Sequence, residues 1–297
     1  MTSLQPAAKA GRREWTGLAV IAVLAGLGLG VLFVRRQRTI AYPLLDVALF
    51  RRPAFSATVA AYALSCLAMF GVYIFIAQHL QLVLGLSPLE AGIAILPWSL
   101  GFVFGSLLSP RLARHVSAVS ILVWGMAITA VGFALLTLVD GPHGLAVLVA
   151  ATVVMSLGMA PVFTIGNDII VGSAPPERAG AAAALSETSA EFSGALGIAL
   201  FGSLGTLIYR HLLSGNMPPD VPAALSTGAL STLGGALAAA AQLPTPAGAA
   251  LLSAAHAAFT DALQFTATCG AVLVAGASLL VARILRPPTA TAGRDAH

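Results

Sequence analysis

The 297-residue chain is 58% hydrophobic and only 9% charged, with a mean hydropathy of +0.92. In water such a composition would leave large apolar patches exposed, which excludes a soluble domain and makes lipid the solvent for most of the chain. The net charge of +4 and pI near 9.6 come from arginines bunched between uncharged runs, the pattern of basic residues flanking membrane spans, so nucleic acid is not implied.

In chain order, residues 1–14 form a polar, basic tail (Lys9, Arg12, Arg13) without the small-residue cleavage site of a removable signal peptide. Uncharged apolar runs then predict helices over 15–34, 54–80, 89–110, 118–139, 144–167, 179–209 and 262–282, the sixth with two internal acids. Each is close to or above the roughly 20 residues that span a bilayer core about 30 Å thick. The expected fold is therefore all-α, a polytopic bundle of seven transmembrane helices. Turn chemistry marks the junctions: Ser87 followed by Pro88 and Glu90 as a capping box, Asp140-Gly141-Pro142, and Pro175-Pro176-Glu177 at a helix start. Residues 211–260, rich in Ala, Ser, Pro and Leu, predict a long external loop. Its uncharged stretch 221–241 carries so much Ala, Gly, Ser and Thr that it should insert poorly and instead form an Ala-rich or amphipathic helix. Residues 286–297 form a cytoplasmic tail.

If the first span runs from outside to inside, eleven of the fifteen basic residues fall on the inner side and four outside, the bias expected of a cytoplasmic face. Three of those four are Lys9, Arg12 and Arg13, at an end that prefers the cytoplasm. This misfit predicts that further sequence belongs upstream. Cys66 and Cys269 lie inside apolar runs and the six histidines are scattered, so neither a disulfide framework nor metal-ligand spacing is offered, and no cofactor is implied.

Three segments resemble the fourteen-helix drug:proton antiporter family of the major facilitator superfamily. YPLLDVALFRRPAFS (42–56) is similar to that family's link into its C-terminal six-helix bundle, and QHLQLVLGLSPLEAGIAILP (78–97) to the bundle's first external turn. The strongest match, APPERAGAAAALSETSAEFSGALGIALFGS (174–203), resembles the penultimate helix with its preceding cytoplasmic turn. The resemblance implies one linker helix with its cytoplasmic link (15–53), then the C-terminal bundle (54–285), in a bacterial inner (plasma) membrane. It also implies proton-coupled efflux of lipophilic or cationic molecules by alternating access, with an N-terminal half missing or a second copy taking its place. GSLLSPRLARHV (105–116) is a weak version of the family's glycine-rich loop, in which Arg111 and Arg114 would anchor the cytoplasmic face.

Glu187 and Glu191 are the sharpest candidates. A charge in the middle of an apolar helix costs about 2.5–3.5 kcal/mol on insertion scales, and four-residue spacing puts both carboxyls on one helix face. Desolvation and mutual repulsion there favour proton uptake, which a bound cation would displace, the exchange antiport requires. The bland alternative is a wet vestibule or an arginine partner. Asp168 and Arg178 could form a relay or gate, although interface solvation explains Asp168 as well. Gln78, His79 and Gln81 could line an exit path or cap a helix. Phe70, Tyr73, Phe75, Trp98, Phe102 and Phe104 offer aromatic surface, with plain packing the favoured reading. Gly101, Gly105, Gly158, Gly194 and Gly197 permit close helix approach, and Pro97 and Pro161 permit bending. The single lysine, Lys9, excludes a retinal Schiff base and a phosphate-binding loop, and no nucleophile–base set suggests an enzyme. The rival reading is a non-transporting, transporter-derived membrane fragment or interaction protein.

Overall fold

A computed structural model describes residues 53–285 continuously and a scatter of residues between 21 and 51. The chain divides into two units, 1–52 and 53–297. In the first, the helical residues described between 24 and 33 are apolar, and Thr39 donates from Oγ1 to the Arg36 carbonyl at 2.9 Å. The expected span 15–34 falls partly, and the tails 1–14 and 286–297 wholly, outside the described residues.

The second unit is all-helical among the described residues. Its elements are α1 (Pro53–Gln78), continued by a π turn (His79–Val83), α2 (Pro88–Leu112), α3 (Ala118–Leu136), α4 (Gly144–Gly172), α5 (Ala179–Gly215), the short α6 (Ala223–Ser231) and α7 (Leu233–Ala240), and α8 (Thr245–Leu285). Six of these are long and apolar enough to cross a membrane. They correspond to six of the seven expected spans, the remaining one being 15–34.

Local chemistry fixes the helix ends. The capping box forms: Ser87 Oγ accepts from the Glu90 backbone N–H at 3.3 Å, and the Ser87 N–H donates to Glu90 Oε2 at 2.8 Å. At the Asp140 turn the Gly141 N–H donates to Asp140 Oδ1 at 2.7 Å, and Gly141 adopts φ +66°, a value available to glycine without steric cost.

Helices α3, α4, α8 and α1 make the centre of the bundle, with Leu122, Met126, Phe133, Leu148, Leu251 and Leu263 fully enclosed. Helix α5 packs chiefly on α1, and α2 almost entirely on α4. These crossings are close because glycines face one another. A Cβ on Gly197 would run into the Leu67 carbonyl, one on Gly105 would meet Ala160, and one on Gly158 the backbone of Thr129. Polar links tie α8 to α3 and to the turn after it: Ser278 donates to the Val123 carbonyl at 2.9 Å and Gln264 to the Val139 carbonyl at 3.1 Å.

The stretch expected as a long loop, 211–260, holds the last turn of α5, two short helices and the first turns of α8. Residues 221–241 form no single crossing helix. Thr232 is extended (φ −153°, ψ 157°), which divides them into helices of nine and eight residues, and its Oγ1 caps α7 by accepting from the Gly235 N–H at 3.0 Å. The last long helix starts at Thr245, not near 262. The physical reason is alanine. Residues 245–261 have modest hydropathy but high helix propensity, and Leu251, Ala255, Ala258 and Phe259 give them a buried face.

Candidate functional site

The helices alternate in direction, so the α2–α3 and α4–α5 connections and the end of α8 gather at one pole, with Arg111, Arg114 and Arg283, while the π turn, Asp140 and the α6–α7 insert gather at the other. Arg111 and Arg114 are exposed there, joined through their backbones at 3.2 Å. Asp168 is exposed one turn before the end of α4. Arg178 falls in the 3-10 turn Pro176–Arg178, and the expectation for its side chain lies outside the described residues.

The buried residues of α5 recur at near-i+4 intervals, Ala182, Ser186, Ala190, Gly194 and Gly197 among them, and this stripe lies against α1. Glu187 and Glu191 stand one position beyond Ser186 and Ala190, on the edge of that stripe, about 12 and 18 Å along a helix that starts at Ala179. Both side chains are exposed on a face of α5 that the other helices of this unit leave uncovered, and among the described residues neither forms an ion pair. Across the α1–α5 seam lie Tyr62 and Cys66: Glu187 acts electrostatically on both and Glu191 on Cys66. Ser186, next to Glu187 in sequence, is buried and interacts with Tyr62 across the seam.

From Tyr62 a continuous run of aromatic rings leads away from the acids. Tyr62 meets Phe163 of α4 at 4.8 Å between ring centres, Phe163 meets Phe102 of α2 at 5.8 Å, Phe102 stacks on Trp98 at 5.7 Å, and Trp98 meets Tyr73 of α1 at 6.3 Å. Tyr62 is buried, Trp98, Phe102 and Phe163 are half-buried and Tyr73 is 39% exposed, so the run passes from core to surface. Sequence reading named Tyr73, Trp98 and Phe102 but favoured packing and missed Tyr62 and Phe163. The signal for those two is their position relative to other helices, which one sequence does not carry. Of the other aromatics, Phe70 covers Gly194, Phe75 is buried beside Phe259, and Phe104 is 62% exposed.

The glutamines separate. Gln78 lines a cavity between α1, α5 and the α6–α7 insert, whereas Gln81 is exposed and its side-chain amide donates to the Ala77 carbonyl at 3.4 Å. His79 is buried in the π turn facing His256 of α8; His79 Nδ1 and His256 Nε2 both lack a partner. Among the described residues no group of three metal-ligating side chains comes together.

An acidic pair on an open helix face beside a half-buried aromatic wall can hold a proton or a flat cation. Residues 11–198 match the Major Facilitator Superfamily profile. The chain is 39% identical over 267 residues to the multidrug efflux pump LfrA of Mycolicibacterium smegmatis, a match covering 89% of this chain and 52% of that protein. It is 30% identical over 298 residues to the tetracenomycin C resistance and export protein of Streptomyces glaucescens (94% and 54%), and 30% identical over 237 residues to the methyl viologen resistance protein SmvA of Salmonella typhimurium (80% and 48%). The chain spans about half the length of these curated relatives. With six apolar helices of membrane-crossing length and a family match over well more than half of its residues, the chain belongs to the major facilitator superfamily.

Proposed function

We propose that this chain is the C-terminal six-helix bundle, with one preceding linker helix, of a fourteen-helix drug:proton antiporter that exports lipophilic cations across a bacterial inner membrane. The observation that carries this reading is the placement of Glu187 and Glu191: two exposed carboxylates partway along an apolar helix, with no ion-pair partner among the described residues. With the arginine pole toward the cytoplasm, an opposing six-helix half or a second copy would close the face that carries them and turn it into the wall of a central cavity. Enclosed there, away from bulk water, the two carboxyls would share protons between them, because removing both charges from solvent in one site is costly.

The cycle follows from competition. A cation whose ring lies on the Tyr62–Phe163–Phe102–Trp98 wall gains cation–π and stacking contact, and its charge sits beside Glu187 only when that carboxylate is ionised. Binding the cation therefore expels a proton, and a proton arriving from outside expels the cation, so the two sites are coupled with opposite sign. The similarity to a multidrug efflux pump, a tetracenomycin C resistance and export protein and a methyl viologen resistance protein, each matched over about half its length, supports export of drug-like molecules.

The test is export of ethidium from inverted or whole-cell vesicles under an imposed pH gradient. Glu187→Gln and Glu191→Gln should each lower gradient-driven export at least tenfold, while passive ethidium leakage is unchanged. Undiminished export in both would remove the acids from the mechanism.

A further inference from the structure

The face of α5 that carries the acids continues past them. Ile198 and Gly202 stand eleven residues beyond Glu187 and Glu191 respectively, three turns and about 16 Å along the axis, so they repeat the same angular positions. There the helix borders a cavity of about 230 Å³, lined on α5 by Ile198, Gly202, Gly205, Thr206 and Tyr209 and on α1 by Ile74, Phe75 and Gln78. Its roof is the junction of the two short helices, Ser231, Thr232 and Leu233, and Phe259 of α8 closes the back.

Two features mark this as built space. The back wall is aromatic: Phe75 and Phe259 lie 5.8 Å apart between ring centres, and Tyr209 meets Phe259 edge-on at 6.2 Å. The roof is pinned, with the Tyr209 hydroxyl donating to the Ala229 carbonyl at 2.9 Å and Arg210 Nε to the Leu230 carbonyl at 3.4 Å. No lining residue is acidic or basic, and the polar groups that face in are neutral amide and hydroxyl. The volume is below the roughly 300–1,000 Å³ of a whole drug site, so it suits a ring system of two or three fused rings with the remainder left outside.

We propose that this cavity is a second binding station for the exported molecule, taking the aromatic portion of a lipophilic cation after it leaves the carboxylates; this rests on the export reading above. The buried rings of Phe75, Tyr209 and Phe259 give a flat ring system an apolar wall, and the amide and hydroxyls beside them give it neutral hydrogen-bonding groups. Without a carboxylate the cavity holds it weakly enough for release. The position, on the acid-bearing face and nearer the pole opposite the arginines, makes the cavity a way station and not a competing high-affinity site.

Gly202 provides the probe, because a Cβ built there meets nothing within 4 Å. In the intact protein carrying Cys66→Ala and Cys269→Ser, with Gly202→Cys added, N-ethylmaleimide should alkylate residue 202 in phospholipid nanodiscs, and saturating ethidium should slow the reaction at least fivefold. This shielding should survive Glu187→Gln with Glu191→Gln, since the cavity contains neither acid. No shielding by ethidium, or shielding lost on neutralising the acids, overturns the second station. Alkylation that is slow in nanodiscs without ethidium and fast in short-chain detergent also overturns it, by showing an acyl chain in the cavity. A second variant reads transport: Gly202→Phe fills the space and should lower ethidium export at least fivefold below the parent; export equal to the parent's overturns the proposal. If the acid variants export normally while ethidium still shields position 202, the coupling reading fails and the second station stands.

Discussion

The α1–α5 seam makes a quantitative prediction from two glycines of one helix. A methyl at Gly197 would be driven into the Leu67 carbonyl, whereas at Gly202 it meets open space. Both substitutions to alanine gain about 0.5–1 kcal/mol from helix propensity. Only the first pays the cost of overpacking, about 1–3 kcal/mol, and the opposing atom is backbone, which cannot swing away as a side-chain end could. Gly197→Ala should therefore be less stable than Gly202→Ala by about 1–3 kcal/mol, read as the difference in midpoint of SDS-induced unfolding of protein purified in mild detergent. Equal midpoints, or a more stable Gly197→Ala, would show that α1 and α5 do not cross as closely as described.

Three further outcomes follow from single contacts. Tyr209→Phe removes the hydroxyl that holds the Ala229 carbonyl, so hydrogen exchange across 223–231 should quicken about fivefold, on the order of 1 kcal/mol of lost hydrogen bonding, with the α3–α4 amides unchanged. Ser87→Ala breaks the capping box at the start of α2 and should lower the unfolding midpoint by about 0.5–2 kcal/mol, an effect that Glu90→Gln should largely avoid because the amide oxygen can still accept. Trp98→Ala opens the middle of the aromatic run and should weaken binding of a flat cation such as ethidium several-fold more than that of the non-planar tetraphenylphosphonium; equal weakening would mean that ring stacking does not select the substrate.

Much of the helical frame is legible in the sequence because lipid imposes a simple rule, about twenty uncharged residues between charged boundaries. That rule finds α1 to α5 and the Ser87 and Asp140 turns. It misplaces the start of α8 for an instructive reason: hydropathy measures lipid preference, while residues 245–261 are held helical by alanine propensity and by a buried face that only the fold supplies. The acids are visible as charges where none belong. Their neighbours are not, because Tyr62 and Phe163 are brought to Glu187 and Phe102 by crossings between helices far apart in the chain. Gln78 and Gln81, three residues apart and equivalent on paper, part because the π turn begins between them.

The central claim is that a proton and a cation compete for Glu187 and Glu191. It is tested most directly by mixing ethidium with the intact detergent-purified protein in weakly buffered solution and following proton release with a pH indicator. The account predicts proton release when the parent binds ethidium, and none from the Glu187→Gln, Glu191→Gln double variant. Equal release from parent and double variant, or tight binding by the parent with no release at any pH, would contradict it.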